Sequence, residues 1–180
     1  MNVICVSGKA QHGKDTVASI MKETLEQSGY RVLIIHYADL LKYICVAYYG
    51  WNGEKDDYGR QLLQNVGTGI ARKQNPDYWV NTVFDFLITF QSEWDWAIIP
   101  DTRFPNEVTM VYEEFGGVHV RVERGKYGGG LTDSQLNHPS ETMLDDYFPD
   151  YYIKNHGSID QLRETVNTCL KEIIYAGKES

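Results

Sequence analysis

Apolar residues fall into short unbroken runs, separated by longer stretches in which they recur every three or four positions. Val3-Ile4-Cys5-Val6 is the first run, and its continuous apolar character predicts a strand buried on both faces. Past Gly13, the residues Val17, Ile20, Met21 and Leu25 share one side of a helix, which Gly29 stops. Arg31 to Tyr37 predicts a second strand, and Asp39 to about Tyr48 a helix with Leu40, Leu41, Ile44 and Cys45 inward. A polar turn over Asn52 to Asp57 leads to a helix over Tyr58 to Ala71. Asp77 is placed to cap another, whose apolar face holds Val80, Phe84, Leu87 and Phe90. Trp96 to Ile99, Val118 to Val122 and Tyr151 to Ile153 predict three more strands, with Asn106 to Phe115 helical between the first two of them. Ser158 and Gln161 form a capping box, followed by the stripe Ile159, Leu162, Val166, Cys169, Leu170 and Ile173.

Alternation of this kind predicts a five-stranded parallel sheet with helices on both faces, a three-layer α/β domain. Two insertions interrupt it. One is the helical segment between the second and third strands; the other runs from Arg124 to Asp146, with Gly128-Gly129-Gly130 near its start. Neither resembles a repeat or a second domain, so residues 1–180 are expected to form a single domain, long enough to bury a substantial core.

Composition changes this picture little. With 42% hydrophobic and 23% charged residues the chain is globular in character, and its formal charge of −8 argues against nucleic acid as a partner. Cys5, Cys45 and Cys169 lie far apart without metal-ligand spacing and read as reduced core thiols of a cytoplasmic protein. No signal peptide is visible, and no apolar stretch is long enough to span a membrane.

The chemistry begins where the first strand ends. Gly8-Lys9-Ala10-Gln11-His12-Gly13-Lys14 is a G-x-x-x-x-G-K loop between a strand and a helix, the setting of a phosphate-binding loop. Glycines let successive N–H groups turn toward an anion, the helix N-terminus adds its dipole, and Lys14 adds a full charge for the outer phosphates of a nucleoside triphosphate. The position after the lysine usually carries a hydroxyl for magnesium; here it is Asp15, with Thr16 next. Asp15 either holds Mg2+ or one of its waters, or caps the helix, and Thr16 can donate to an inner phosphate. Asp101 and Arg103 follow the third strand, at the sheet edge where ligands of open α/β sheets gather. Asp101 suits magnesium or its water, and the planar fork of Arg103 suits a phosphate.

The chain resembles the deoxynucleoside monophosphate kinases of phage and bacterial type, adenylate-kinase-like phosphate-loop kinases. The resemblance is carried by Gly13-Lys14-Asp15-Thr16, Tyr37-Ala38-Asp39-Leu40-Leu41-Lys42, Arg60 through Thr68, Asp101 through Glu107, His138-Pro139-Ser140-Glu141 and Asn155-His156-Gly157. These pieces span nearly the whole chain. The resemblance implies the P-loop nucleoside triphosphate hydrolase fold with strand order 2-3-1-4-5, an acceptor-binding insertion at about 38–92 and a lid at about 124–146. It implies transfer of the γ-phosphoryl group of ATP to a deoxynucleoside monophosphate, with Mg2+ at Asp15, Thr16 and Asp101, directly or through water.

By the same resemblance Gly8, Gly13, Lys14, Asp15 and Thr16 bind the ATP phosphates, and Lys14, Asp101, Arg103 and Arg124 are catalytic. Asp39, Lys42, Arg60, Gln64, Arg72 and Trp79 border the acceptor, Trp79 by stacking on a base, although a place in the core explains this tryptophan better. Arg60 and Gln64 share one helix face, one suited to a phosphate and the other to a base edge. Lys126, His138, Ser140 and Glu141 belong to the lid, although Ser140 and Glu141 equally suit a helix start. Asn155 and Gly157 cup the donor adenine or form a plain turn. The lid has few basic residues, which shifts the charge stabilisation to Lys14, Arg103 and Arg124. Small-molecule nucleotides in the cytoplasm, a host's if the chain is phage-encoded, are the expected partners, without membrane or nucleic acid; a homodimer is left open. Phosphomevalonate-kinase-like or dephospho-coenzyme-A-kinase-like chemistry and a non-catalytic nucleotide-binding module are the alternatives, and the negative charge disfavours a nucleic-acid end kinase.

Overall fold

The structure is a computed structural model that describes residues 1–54, 56–125 and 132–177. The chain forms two compact units, residues 1–34 with 91–180 and residues 35–90. The expected insertion at 38–92 is nearly coextensive with the second of these units.

In the larger unit, β1 (Asn2–Ser7), β2 (Val32–Ile34), β3 (Trp96–Thr102), β4 (Val118–Glu123) and β5 (Tyr151–Lys154) form one parallel sheet in the order β2-β3-β1-β4-β5. That is the order 2-3-1-4-5 the resemblance implies. Ile4, Val6, Val120, Val122 and Ile153 pack against Val17, Ile20, Met21 and Leu25 of α1 (Lys14–Gln27) and Leu162, Val166 and Leu170 of α8 (Ile159–Ala176). Each fully buried aliphatic side chain contributes about 1.5–3 kcal/mol over exposure, so this layer supplies most of the unit's stability. The opposite face lies under α5 (Pro105–Phe115), whose Val108 and Val111 are fully buried. The capping box at Ser158 and Gln161 is present as expected.

Two strands differ from expectation. The second is three residues long, because only Val32–Ile34 pair with β3 before the chain enters the smaller unit. The third runs on to Thr102, with an irregularity against β1: Cys5 faces Ile99 but Ser7 faces Thr102. Pro100 lies in this extra-residue step; a proline has no N–H for a ladder, and strands accommodate it at a bulge. Asp101 therefore belongs to the end of β3 instead of to the loop after it.

The smaller unit contains α2 (Ala38–Tyr49), α3 (Asp57–Gln64), a π-helical run (Asn65–Arg72) that continues α3, and α4 (Tyr78–Thr89). Asp56 caps α3 by accepting the Gly59 N–H at 2.7 Å. Asp77 stands before α4, but its side chain does not cap the helix. Gly67 lets α2 approach, since a Cβ there would lie 2.8 Å from Leu41 Cδ2. Phe90, expected inward, is exposed.

His119 is the one fully buried histidine among the described residues. Its Nε2 lies 2.7 Å from Ser7 Oγ, its Nδ1 has no partner, and burial pushes its pKa down to about 4. A pKa below its unfolded value means that the unfolded chain binds the proton first. Stability is then full above pH 6.5 and falls as the pH drops toward 4, by at most about 3 kcal/mol from this group. Melting temperature measured between pH 7 and 4 should fall more steeply for the wild type than for His119→Gln. Parallel curves would remove His119 as the cause.

Candidate active site

The parallel register sets Ser7 beside Thr102 of β3 and Arg121 of β4, so the loops after these three strands leave the sheet side by side. Gly8 opens the first loop at φ 145°, and a Cβ there would lie 2.5 Å from Val122 O. Gly13 closes it at φ 92°, with a Cβ position 2.6 Å from Asn155 Nδ2. Neither place admits a side chain. Gln11, at φ 65°, takes the left-handed conformation without being glycine, a local strain of the kind that ligand-binding loops retain.

Lys14 is only 7% exposed. Its ammonium donates to Gly8 O at 2.7 Å and Lys9 O at 3.0 Å, so it lies folded onto its own loop. Burial first, then the neighbouring Arg103 charge, pushes its pKa down to about 8, while Glu141, Asp15 and Asp101 act in the opposite direction. Asp15 and Thr16 are exposed in the first turn of α1, and Gly13, not Asp15, occupies the cap position. The carboxylates of Asp15 and Asp101, with the Thr16 hydroxyl, are hard oxygen donors that fit magnesium, which takes few protein ligands and keeps waters and phosphates for the rest. No cluster of three or more metal-ligating side chains exists among the described residues.

Arg103 is held from both sides. Its backbone N–H donates to Glu107 Oε2 at 2.6 Å, as does that of Phe104 at 3.0 Å, and Glu107 is 1% exposed. Its Nη1 donates to Ser140 O at 3.0 Å and pairs with Glu141. Arg124 directly follows β4, with its N–H 3.3 Å from His12 Nδ1, which also lies 3.2 Å from Val122 O. Burial, then the charges of Lys14 and Lys9, lower the His12 pKa against the Val122 hydrogen bond.

The expected lid is in part packed structure. Lys126 and Gly128-Gly129-Gly130 lie outside the described residues, but 132–146 carries α6 (Asp133–Leu136) and α7 (Pro139–Thr142) and buries Leu144. Glu141 Oε2 accepts the Ala10 N–H at 2.7 Å, and Asp145 pairs with Lys9 at 2.8 Å and Arg121 at 3.0 Å. His138 caps α7, its Nδ1 accepting from Ser140 N at 3.2 Å and lying 2.9 Å from Ser140 Oγ. Burial lowers its pKa, in keeping with a neutral ring that accepts at Nδ1.

The Asn155 amide donates to His12 O at 3.0 Å from a site 9% exposed, and so buttresses the phosphate loop. Gly157 leaves room for the Gln161 side chain in the α8 capping box, so the plain turn is its role.

In the smaller unit, Lys42 Nζ pairs with Asp39 at 3.1 Å, and Asp39 also accepts the His36 N–H at 3.0 Å. Against its partial burial, these bonds hold the Asp39 pKa below the usual range. The pair offsets the Lys42 charge that was expected to serve an acceptor phosphate. Trp79 is 4% exposed and donates its indole N–H to Gly67 O at 3.0 Å, which is the core position its size also suits. Arg72 donates to Pro76 O at 3.0 Å.

The change from α to π geometry aligns the others. In an α-helix a four-residue step overshoots a full turn by about 40°. In a π-helix, with roughly 4.4 residues per turn, it falls short by about 30°. Because α3 passes into the π run at Asn65, the two errors oppose each other, and Arg60, Gln64, Thr68 and Arg72 stay within a sector of about 60°, all half-buried. Thr68 was not singled out from the sequence.

A central β1 flanked by β3 and β4, with a glycine loop and buried lysine at its end, defines a phosphate-loop kinase scaffold. A solved sugar kinase from a Janibacter species shares it at TM-score 0.56 and 14% identity over 95% of each chain. Dephospho-CoA kinase from Campylobacter jejuni does so at TM-score 0.52 and 13% identity, over 96% of this chain and 97% of its own. At such identity these likenesses speak for the fold alone. Within that class, the family model for deoxynucleotide monophosphate kinase matches residues 34–166, and the chain belongs to this family. The deoxynucleotide monophosphate kinase of Enterobacteria phage T4 is 30% identical over 114 residues, which are 62% of this chain and 45% of that relative. The chain thus spans less than half of the relative's length. No helix among the described residues is long and apolar enough to cross a membrane.

The Lys14 pKa near 8 has a consequence for binding. Above that pH the free protein must take up a proton to set an ammonium on a phosphate. ADP affinity should fall about tenfold per pH unit above 8, with proton uptake in titration calorimetry. Lys14→Arg, whose guanidinium stays charged, should abolish that slope. A pH-independent affinity in the wild type would rule out Lys14 as the titrating contact.

Proposed function

We propose that this chain transfers the γ-phosphoryl group of ATP to a deoxynucleoside monophosphate, yielding the diphosphate and ADP. Membership of the deoxynucleotide monophosphate kinase family is the observation that carries this reading. The geometry at the sheet edge is consistent with it. In the bound state Lys14 leaves the Gly8 and Lys9 carbonyls for the outer phosphates, and the loop N–H groups and α1 N-terminus hold the inner ones. Arg103 and Arg124 stabilise charge on the phosphoryl group in flight. Magnesium would be held by Asp15, Thr16 and Asp101, directly or through water, and supplies neutralisation of the phosphate oxygens. No strong base is required, because a monophosphate acceptor is already ionised at neutral pH.

The acceptor is read by the line on α3 and its π continuation. Arg60 meets the monophosphate, while Gln64 and Thr68 offer amide and hydroxyl groups for base and sugar. Residues 132–146 are tied to the phosphate loop through Glu141 and Asp145.

A coupled ADP-release assay with the four standard deoxynucleoside monophosphates tests the reaction; no turnover with any of them would sink it. Lys14→Ala should cost about a thousandfold or more in kcat, the scale of a principal electrostatic stabiliser. Retention of activity within a few-fold would remove the phosphate loop from the mechanism. Gln64→Ala and Thr68→Val should each raise the acceptor KM by about five- to tenfold and leave the ATP KM unchanged. The reverse pattern would place the ATP site on α3.

A further inference from the structure

Glu141 has two partners far from it in sequence and from each other. Its side chain is 9% exposed, although it sits on the four-residue helix α7. Oε2 accepts the Ala10 N–H of the phosphate loop at 2.7 Å, and Oε1 pairs with Nη1 of Arg103. The same Nη1 donates to Ser140 O at 3.0 Å, so two consecutive residues of α7 grip one guanidinium nitrogen. Among the described residues these side-chain bonds all use Nη1, which leaves the Nη2 and Nε edge for a planar pair of phosphate oxygens.

The arrangement is built from behind. His138 caps α7 through the Ser140 N–H, which fixes where Ser140 O and the Glu141 side chain point. Glu107 holds the backbone of Arg103 from the opposite direction. Arg103 is thereby fixed at its main chain and at one guanidinium nitrogen, with its other edge unused. Lys14 feels the Arg103 and Glu141 charges in opposite senses, so the carboxylate also permits two cations to stay charged side by side. The neighbouring pair of Asp145 and Lys9 is different in kind. Both side chains are more than one-third exposed, and such a pair is a tether.

We propose that Glu141 is a positioning residue for phosphoryl transfer: its carboxylate spans the Ala10 N–H and Arg103 Nη1, and so holds the opposite guanidinium edge in register with the phosphate loop. This rests on the kinase reading. It makes Glu141 part of the resident site and not a lid residue that arrives with substrate.

Kinetics with ATP and the best of the four standard deoxynucleoside monophosphates test it. Glu141→Gln should lower kcat by about 30- to 100-fold and leave the ATP KM within about threefold. On an Arg103→Ala background the same change should cost less than about threefold, because there is no guanidinium left to position. Millimolar free guanidinium should restore activity to Arg103→Ala by about tenfold while Glu141 is present, and not to the double variant. The small cost expected on the Arg103→Ala background is the folding control, since a misfolded Glu141→Gln protein would lose activity there as well. A kcat within threefold of wild type, an undiminished loss on the Arg103→Ala background, or equal rescue of both variants would overturn the proposal. An active wild type with any of these results sinks this inference alone, whereas an inactive wild type sinks the kinase reading with it.

Discussion

The carboxyl edge of the sheet concentrates positive charge. Lys9, Lys14, Arg103 and Arg121 come to the ends of β1, β3 and β4 in a chain whose formal charge is −8. Like charges gathered where water is partly excluded repel one another, and without compensation they would lose protons or push the loops apart. Among the described residues Lys14 has only loop carbonyls for direct hydrogen-bond partners, and its pKa is brought down toward 8. The arginines cannot respond by deprotonation, so carboxylates must come to them. Glu141 and Asp145 do so from one segment, and that requirement fixes how residues 132–146 run. Segment 132–146 is ordered because the phosphate site needs its charges.

Behind that edge lies a layer of buried polar groups, each of which holds a loop. Glu107 takes the Arg103 and Phe104 N–H groups, Asn155 takes His12 O, and His119 takes Ser7. None of these contacts contributes much net stability as a hydrogen bond, about 0.5–1.5 kcal/mol for a neutral pair. Their value is geometric, since the loss of one partner leaves the other unsatisfied in the interior and moves the loop it held. The same account explains why Gly13 must be glycine: Asn155 occupies the space where a Cβ would go.

What the sequence disclosed follows this division. The strands, α1 and α8 were legible because burial dictates an apolar period, and the phosphate loop because its glycines and lysine are adjacent in the chain. Pro100 was visible, but its bulge was not, since the extra residue has meaning only against the register of β1. The contacts of Glu141 were not legible: its partners are 131 and 38 residues away, and no local pattern encodes them. The Asn155 bond to His12 O, 143 residues away, was hidden for the same reason. Trp79 belonged to the core, as its size suggests, and its indole N–H went to a carbonyl of the π run.

The smaller unit meets the need for placement by different means. Charge compensation orders the phosphate site, but Arg60, Gln64, Thr68 and Arg72 are ordered by backbone geometry on a single helical stretch. A continuous α-helix would fan these side chains around by about 120° over three four-residue steps. A π run is costly in packing and rarely exceeds one turn, so one of eight residues needs support. Trp79 supplies it at the Gly67 carbonyl, and the absence of a side chain at Gly67 allows α2 to close against the widened turn. A core tryptophan thus holds, from beneath, the backbone that carries Gln64 and Thr68.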